Sequence, residues 1–518
     1  MEIRASDTDI AHYLEYRLRS EKRLGQLLKN DTELKRSVID QITGNAEGMF
    51  LLAQLQMDFI SRKNNRRDIR RSLDNLPRQL SDVYEAAFER IAKQNTDDAR
   101  LAERLLCWII AAKRPLSRLE IQHALAVEPD DTDLVEEGIP DEEIILGACA
   151  GLVIIDAESS IVRMVHYTAQ EYFENTFQPR LHRFGIEVAT TCITYLSFEA
   201  VSASSLENGM NQQFTAHPLL RYVAQHWGHH AREALSISDA NGEKDKYASE
   251  IEVLQTKILN FCNDQTKIQP CYRAMFRLEH DYDMEISSLA KVTGLHVASG
   301  PGLTRVVASL LNTETEETSK QHREISDVNA ADSNGETPLH WAAEGHNSVV
   351  NLLLAPISGR ISPDEANIKG RTPLRLAVEN SHADVVRSLV ARDDIQLDRA
   401  DDVTEGTALW RAADVGDAKA VAALLSVLEG AGHSGRKQPP LDVNSKDTFY
   451  GETPLLRAVE RGHVDVVREL LARGGPDLDL QATDQFYEET PLERARAKGY
   501  GEIVKLLEEV TEKEAGGL

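Results

Sequence analysis

The chain has no Gly-Lys pair anywhere in its 518 residues. A phosphate-binding loop of the Walker A type needs Gly-Lys followed by Ser or Thr, because backbone N–H groups cradle the phosphate and the lysine neutralises it. Long apolar runs are also missing. The longest, LLCWIIAA at 105–112, falls far short of the ~20 residues that span a bilayer. The N-terminal MEIRASDTDIAHYLEYRL has no apolar core of a signal peptide, so a cytoplasmic protein without membrane contact is the expectation. Cysteine is scarce: Cys107, Cys149, Cys192, Cys262 and Cys271 are scattered, odd in number and without a CxxC pair. This argues against a disulfide framework or a zinc knuckle and for free core thiols. Positive charge is outweighed, 58 Lys and Arg against 84 Asp and Glu, a net −26. Such a chain repels phosphate backbones and anionic lipid, so no nucleic-acid partner is expected.

What the chain does have is a repeat. TGLHVA begins at Thr293, TPLHWA at Thr337, TPLRLA at Thr372, TALWRA at Thr407, TPLLRA at Thr453 and TPLERA at Thr490, in steps of 44, 35, 35, 46 and 37 residues. Each is followed by a second apolar run at helical spacing, from VVASLL to IVKLLE. In one period, Thr337 caps a helix, Pro338 occupies the first helical position, Leu339 and Ala342 face inward, and Gly345 suits a left-handed cap. Val349, Val350, Leu352 and Leu353 stripe the second helix, and Asn334-Gly335 marks a tight turn. One period cannot bury its apolar face alone, so the periods must stack. The pattern over 285–510 resembles the ankyrin repeat, about six copies, with 511–518 as a tail. The last copy carries Glu488-Glu489 where others have a turn glycine and ends in an acidic helix, as a terminal cap requires. Arg411, Arg457 and Arg494 stand where Trp341 and Leu376 stand in their copies. They read as snorkelling stems, or as a basic stripe on the inner face. Insertions at 313–326 and 428–442 map to loops, and 236–250 reads as a linker.

The N-terminal half reads as helical, with Pro77 ending one helix and Ser81 capping the next. The β-rich runs LVIID and IVRMVH, joined by Ala157–Ser160, predict a hairpin, and helices plus a hairpin suggest a winged helix. The phrases AEGMFLLAQLQ (46–56), IRRSLDNLP (69–77), VYEAAFERI (83–91), WIIAAKRPLSRLEIQHALA (108–126), GLVIID (151–156) and VRMVHYTAQEYF (162–173) follow one another in order. As a set they resemble the region downstream of a NACHT domain in fungal NLR-like proteins. HPLLRYVAQHWGHHAR at 217–232 resembles the helical spacer before their repeats. The resemblance implies a mainly α chain. It comprises a helical NACHT remnant (1–75), a winged helix of the GPI inositol-deacylase type (76–180), a helical spacer (181–275) and an ankyrin α-solenoid (285–510). Only 44 residues precede Asn45, too few for the α/β core of a NACHT module. Two expectations follow: a P-loop-less remnant, or a sequence starting at an internal methionine of a signal-transduction NTPase whose P-loop lies upstream.

Chemistry is sparse. The candidate recognition helix LSRLEIQHALAVEP sets Arg118 beside Glu120 and Glu128, a poor footprint for DNA. His226, His229 and His230 lie at helical spacing but without an HExxH partner, so packing is favoured over zinc. His166 reads as a packed or capping histidine, since no nucleophile accompanies it and GxSxG is absent. The acidic stretch 128–143 reads as solvated loop, lacking the ligand pattern of an EF-hand. The expectation is a non-enzymatic protein without metal or cofactor that binds a protein partner through its ankyrin surface in NLR-like signalling. Candidate contact residues flank the repeat turns: Ser333, Glu336, Arg371, Arg375, Trp410, Tyr450, Glu452 and Glu488.

Overall fold

The computed structural model describes residues 5–46, 48–77, 79–177, 181–203, 210–236, 246–280, 292–312, 328–355, 361–402, 406–429 and 441–516. Most of the predicted linker, and nearly all of both predicted insertions, lie outside these residues. The chain forms two compact parts, one from residues 1–127 and 135–184, the other from 128–134 and 185–518.

The first part begins with five helices, Asp7–Ser20, Lys22–Leu28, Thr32–Ala46, Phe50–Ser61 and Arg66–Leu73. Apolar residues at i, i+4 and i+8, such as Ile10, Leu14 and Leu18 or Leu34, Val38 and Ile42, converge on one core with Met57, Ile60 and Ile69. The chain leaves the fifth helix at Asp74, so Pro77 follows the helix end rather than causing it. The next helix, Leu80–Ala92, is capped by Gln79 in a reciprocal box with Asp82, not by Ser81.

Helices Thr96–Ala111, Arg118–Ala126 and Glu142–Ala148 precede the predicted hairpin. Its strands pair antiparallel, Val153–Ile155 against Ile161–Met164, with Ser160 at positive φ in the turn. A third short strand, Leu116–Ser117, joins the outer edge of the second hairpin strand, so the sheet has three strands rather than two. Tyr84, Trp108, Phe173 and Phe177 fill the core beneath it. His166 caps the helix Tyr167–Thr176, its Nδ1 accepting from the Thr168 backbone N–H at 3.3 Å. Glu120 is buried on Arg114 at 2.6 Å and Arg118 meets Glu142 at 2.9 Å, so the candidate recognition helix offers no unneutralised guanidinium.

In the second part, helices Leu181–Leu196, Leu220–Leu235, Ala248–Cys262 and Gln265–His280 lead into the repeats. Part of the acidic stretch is structured here. The Glu199 N–H donates to the Thr132 carbonyl at 3.1 Å, and the Asp133 carboxylate accepts from Ala200 N–H at the start of the helix Glu199–Ala203. His230 is buried against the Tyr222 hydroxyl at 2.6 Å, while the His226 and His229 rings stay 6.3 Å apart. All five cysteines are buried thiols, and burial pushes Cys149, Cys262 and Cys271 up to about 12.

Six helix pairs then stack. Their first helices are Gly294–Ser299, Pro338–Ala343, Pro373–Glu379, Ala408–Val415, Pro454–Arg461 and Pro491–Lys498. The second helices are Thr304–Asn312, Asn347–Leu353, Ala383–Val390, Ala418–Glu429, Val464–Arg473 and Gly501–Gly516. Each first helix starts at the threonine of the motif, and Leu339, Ala342, Val349, Val350 and Leu353 are fully buried as the pattern requires. Among the described residues no helix is long and apolar enough to cross a membrane.

Candidate protein-interaction surface

The turns before the first helices are built alike. An Asp or Asn side chain accepts from backbone N–H groups across the tip. Asp332 takes Asn334 and Glu336, both at 2.8 Å, and Asn367 takes Lys369 and Arg371, both at 3.0 Å. Asp447 takes Phe449, Tyr450 and Glu452, and Asp484 takes Phe486 and Tyr487. Neighbouring tips are then joined by backbone bonds, Ile368 N–H to Asn334 O at 2.8 Å and Gln485 N–H to Tyr450 O at 3.0 Å. The result is a row of rigid tips.

Behind the tips the repeats are linked in two ways. In the first two, His296 and His340 receive the capping threonine on Nδ1 and reach the next turn through Nε2, to Glu336 O at 3.0 Å and Arg371 O at 3.1 Å. Burial lowers both imidazoles to about 4, so both are neutral at pH 7. From the third repeat onward arginine takes over. Arg375 donates to the Gly406 and Thr407 carbonyls and pairs with Glu379 and Asp401. Arg457 joins Asp414 at 2.7 Å to Glu452 at 3.1 Å, its guanidinium over the rings of Trp410 and Tyr450. Arg494 holds Glu460, Glu489 and Asp484 and lies over Tyr487. Arg411 bonds Asp414 at 2.7 Å. The row Arg411, Arg457 and Arg494 is therefore neither a free basic stripe nor a set of snorkelling stems. It is a ladder of ion pairs within the stack.

This ladder decides the fate of the candidate contact residues. Arg375, Trp410 and Glu452 are buried, 3%, 2% and 4% exposed, and cannot be surface contacts. They hold repeats together, and Trp410 fills the gap beneath Arg457. Arg371 is half-buried on Glu379 at 3.1 Å. Glu336 is half-buried and accepts from the Asn367 amide at 2.9 Å, while the Ser333 hydroxyl is buried in its turn without a hydrogen-bond partner. Tyr450 and Glu488 are exposed on separate tips. Glu488 holds φ 55° where the matching Gly451 has 67°, an uncommon conformation for a residue with a Cβ. Residue-type reasoning missed Phe449, Phe486 and Tyr487, which are 66%, 65% and 72% exposed. The available signal was the duplicated phrase Asp-x-Phe-Tyr-x-Glu-Thr-Pro-Leu at 447–455 and 484–492. With Tyr450, whose ring centroid lies 6.3 Å from that of Phe486, these residues make an aromatic patch across the last two tips.

Comparison with known proteins agrees with this anatomy. The GPI inositol-deacylase winged helix domain matches residues 89–184. Ankyrin repeats match 269–360 and 433–514 as arrays and 369–402 as a single copy. The vegetative incompatibility protein HET-E-1 of Podospora anserina is 28% identical over 149 residues, 29% of this chain. That match spans 10% of the relative's own length. Among solved structures, the ankyrin repeat domain of Bcl-3 is 25% identical with a TM-score of 0.35, over 42% of this chain and 86% of that one. An ankyrin repeat domain from Acinetobacter baumannii is 23% identical with a TM-score of 0.33, over 42% of this chain and 97% of that one. The chain thus carries a winged helix domain followed by an ankyrin stack, and the stack marks a protein–protein interaction architecture.

Proposed function

We propose that this chain is a non-enzymatic, cytoplasmic adaptor or sensor of an NLR-like signalling system that captures a protein partner along its repeat tips. The observation that carries the reading is the aromatic patch Phe449, Tyr450, Phe486 and Tyr487. Four large rings stand in solvent on a rigid edge, while the arginines behind them are fully engaged in the stack. Exposed aromatics clustered on rigid tips supply the contact area that interface hot spots use. The test is partner capture by cross-linking in cells of the source organism, followed by Phe449→Ala, Tyr450→Ala, Phe486→Ala and Tyr487→Ala. Capture is expected to fall about tenfold or more with helicity unchanged. Capture that survives all four refutes the surface.

A second reading is a piece of a signal-transduction NTPase, favoured by the similarity to HET-E-1. Both readings expect this chain alone to bind no ATP, and micromolar affinity would overturn the adaptor reading. They part on the 5′ end of the transcript, where a reading frame that continues upstream into a Gly-Lys-Ser/Thr loop favours the NTPase.

A further inference from the structure

The arginine ladder defines a repeated chemical environment. In the fifth repeat a guanidinium lies over two aromatic rings and on a carboxylate, Arg457 with Trp410, Tyr450 and Glu452. In the sixth, Arg494 lies over Tyr487 and pairs with Asp484 and Glu489. In the fourth, the turn aspartate Asp401 is neutralised by Arg375 of the preceding repeat. The second repeat has the same carboxylates, Asp332 closing the turn and Glu336 before the capping threonine. Its arginine is replaced by Trp341. Among the described residues neither Asp332 nor Glu336 has a cation within ion-pair distance. Instead a cleft of about 310 Å³ opens there, walled by Trp341, Tyr272 and Trp227 and floored by Asp332 and Glu336.

The walls are fixed. The Trp341 and Tyr272 rings lie 5.8 Å apart at 32°, and Trp341 is pinned by its Nε1 donating to Asp332 at 3.3 Å. Gly300 lies beneath the indole, where a Cβ would come within 2.9 Å of Cε3. Burial pushes both carboxyls above their ordinary range. Hydrogen bonds from its own turn and from Trp341 hold Asp332 back in part, and the Asn367 amide, with Arg371 and Lys369 beyond ion-pair distance, holds Glu336 back in part.

We infer that this cleft receives an arginine side chain of the protein partner, its guanidinium stacked on Trp341 and Tyr272 and paired with Asp332 and Glu336. The inference rests on the interaction reading above and deepens it by naming what one end of the stack recognises. Guanidinium is favoured over ammonium because it is planar, stacks on ring faces and can meet two carboxylates at once. The fifth repeat shows the same constellation filled from within the chain.

The full chain labelled with 5-fluorotryptophan gives four fluorine signals, one per tryptophan, with Trp341 assigned by its loss in Trp341→Phe. Acetyl-arginine amide is expected to shift that signal saturably. Acetyl-citrulline amide, isosteric but neutral, is expected to bind about tenfold more weakly or not at all, with acetyl-lysine amide between them. Glu336→Gln is expected to weaken arginine binding about fivefold or more. Asp332→Asn keeps the oxygen that closes the turn but gives up the acceptor of the Trp341 Nε1–H, so it is expected to weaken binding further while the Trp108 and Trp410 signals stay in place. A Trp341 signal indifferent to the arginine probe overturns the inference, as does equal binding of citrulline. Free L-arginine binding about tenfold tighter than the blocked amide overturns it too, since that points to a small-molecule site. Such failures leave the aromatic tips untouched, and their alanine set reports separately on whether the stack binds a partner at all.

Discussion

Asp414 is the joint of the arginine ladder, and replacing it by alanine tests whether the ladder holds the C-terminal repeats together. Its side chain is 7% exposed and receives Arg411 and Arg457 at 2.7 Å and Arg461 at 2.9 Å. Removing one partner of a buried ion pair costs about 3–5 kcal/mol, because the other charge stays buried without its counterpart. Here the cost is smaller for three reasons. Arg457 retains Glu452 and its two rings. Arg461 is half exposed, and such a pair contributes under about 1 kcal/mol. Asp414 also sits in the last turn of its helix, where a carboxylate is disfavoured by about 0.3–1 kcal/mol. The expected net loss is about 2 kcal/mol.

Urea unfolding of the full chain, with hydrogen exchange to localise the loss to repeats four to six, is the assay. Arg457→Met alone is expected to destabilise, and the double variant Asp414→Ala/Arg457→Met to lose about 1–2 kcal/mol less than the two single losses added. The effect should persist at high salt, since pairs this buried are weakly screened. It should fade under acid. Burial pushes the Asp414 carboxyl up, but Arg457 and Arg461 outweigh it and hold the group below its usual 3.8. The stability it confers is therefore present above about pH 4 and lost below it. An Asp414→Ala loss under about 0.5 kcal/mol, or strict additivity with Arg457→Met, would refute the ladder as a source of cohesion.

Asp398 behaves in the opposite sense: burial, with Asp442 nearby, raises its carboxyl from 3.8 to about 6, and its Oδ1 lacks a hydrogen-bond partner. Its charge costs stability as pH rises through that interval, so Asp398→Asn should gain about 1–2 kcal/mol at pH 7 and nothing at about pH 4, read from urea melts at both. Glu488→Gly should raise the melting temperature, by about 0.5–1 kcal/mol in stability, because it relieves a left-handed residue; a lower melting temperature would contradict the strain assigned to φ 55°. His296 and His340, lowered from 6.5 to about 4, stabilise the first two repeats above pH 6.5 and lose that contribution as pH falls towards 4. Hydrogen exchange at pH 5 should show these repeats loosened relative to the rest once intrinsic rates are corrected, and His340→Gln should reduce the difference.

The fold was legible where local chemistry repeats. Thr337, Pro338, Leu339 and Ala342 state a helix start and an inward face without reference to anything distant, and every copy of that phrase opens a helix. The hairpin at 153–164 was legible from β-branched runs, but its third strand, Leu116–Ser117, is two residues long and exists only because the hairpin offers it an edge. The site was less legible. A place flanking a repeat turn does not separate a side chain aimed at solvent from one aimed along the stack. Arg375 and Glu452 sit beside the turns, yet their partners, Asp401 and Arg457, come from elsewhere in the chain or from the adjoining helix. The Phe-Tyr doublets were visible as a duplicated phrase, but their exposure follows from the turn geometry set by Asp447 and Asp484, which hydrogen-bond their backbones and leave the rings outside.

The six repeats share one backbone solution and two side-chain solutions. At the N-terminal end the residue three places after the threonine is histidine, neutral and buried, which hands the helix cap on to the next turn. At the C-terminal end the linking residue is arginine, charged and buried, and each arginine requires carboxylates that its neighbours supply. The change falls at the third repeat, where Arg375 occupies the histidine position but reaches forward to Asp401. The carboxylates of the second repeat therefore stand on the histidine side of that boundary, where, among the described residues, no arginine comes within ion-pair distance of them. A chain that pairs Asp401, Glu452 and Asp484 with arginines from the fourth repeat on, and replaces the arginine by Trp341 in the second, leaves a cation-sized opening beside Asp332 and Glu336. That opening, rather than the net charge of −26, gives the acidic stack a basis for discriminating among basic partners.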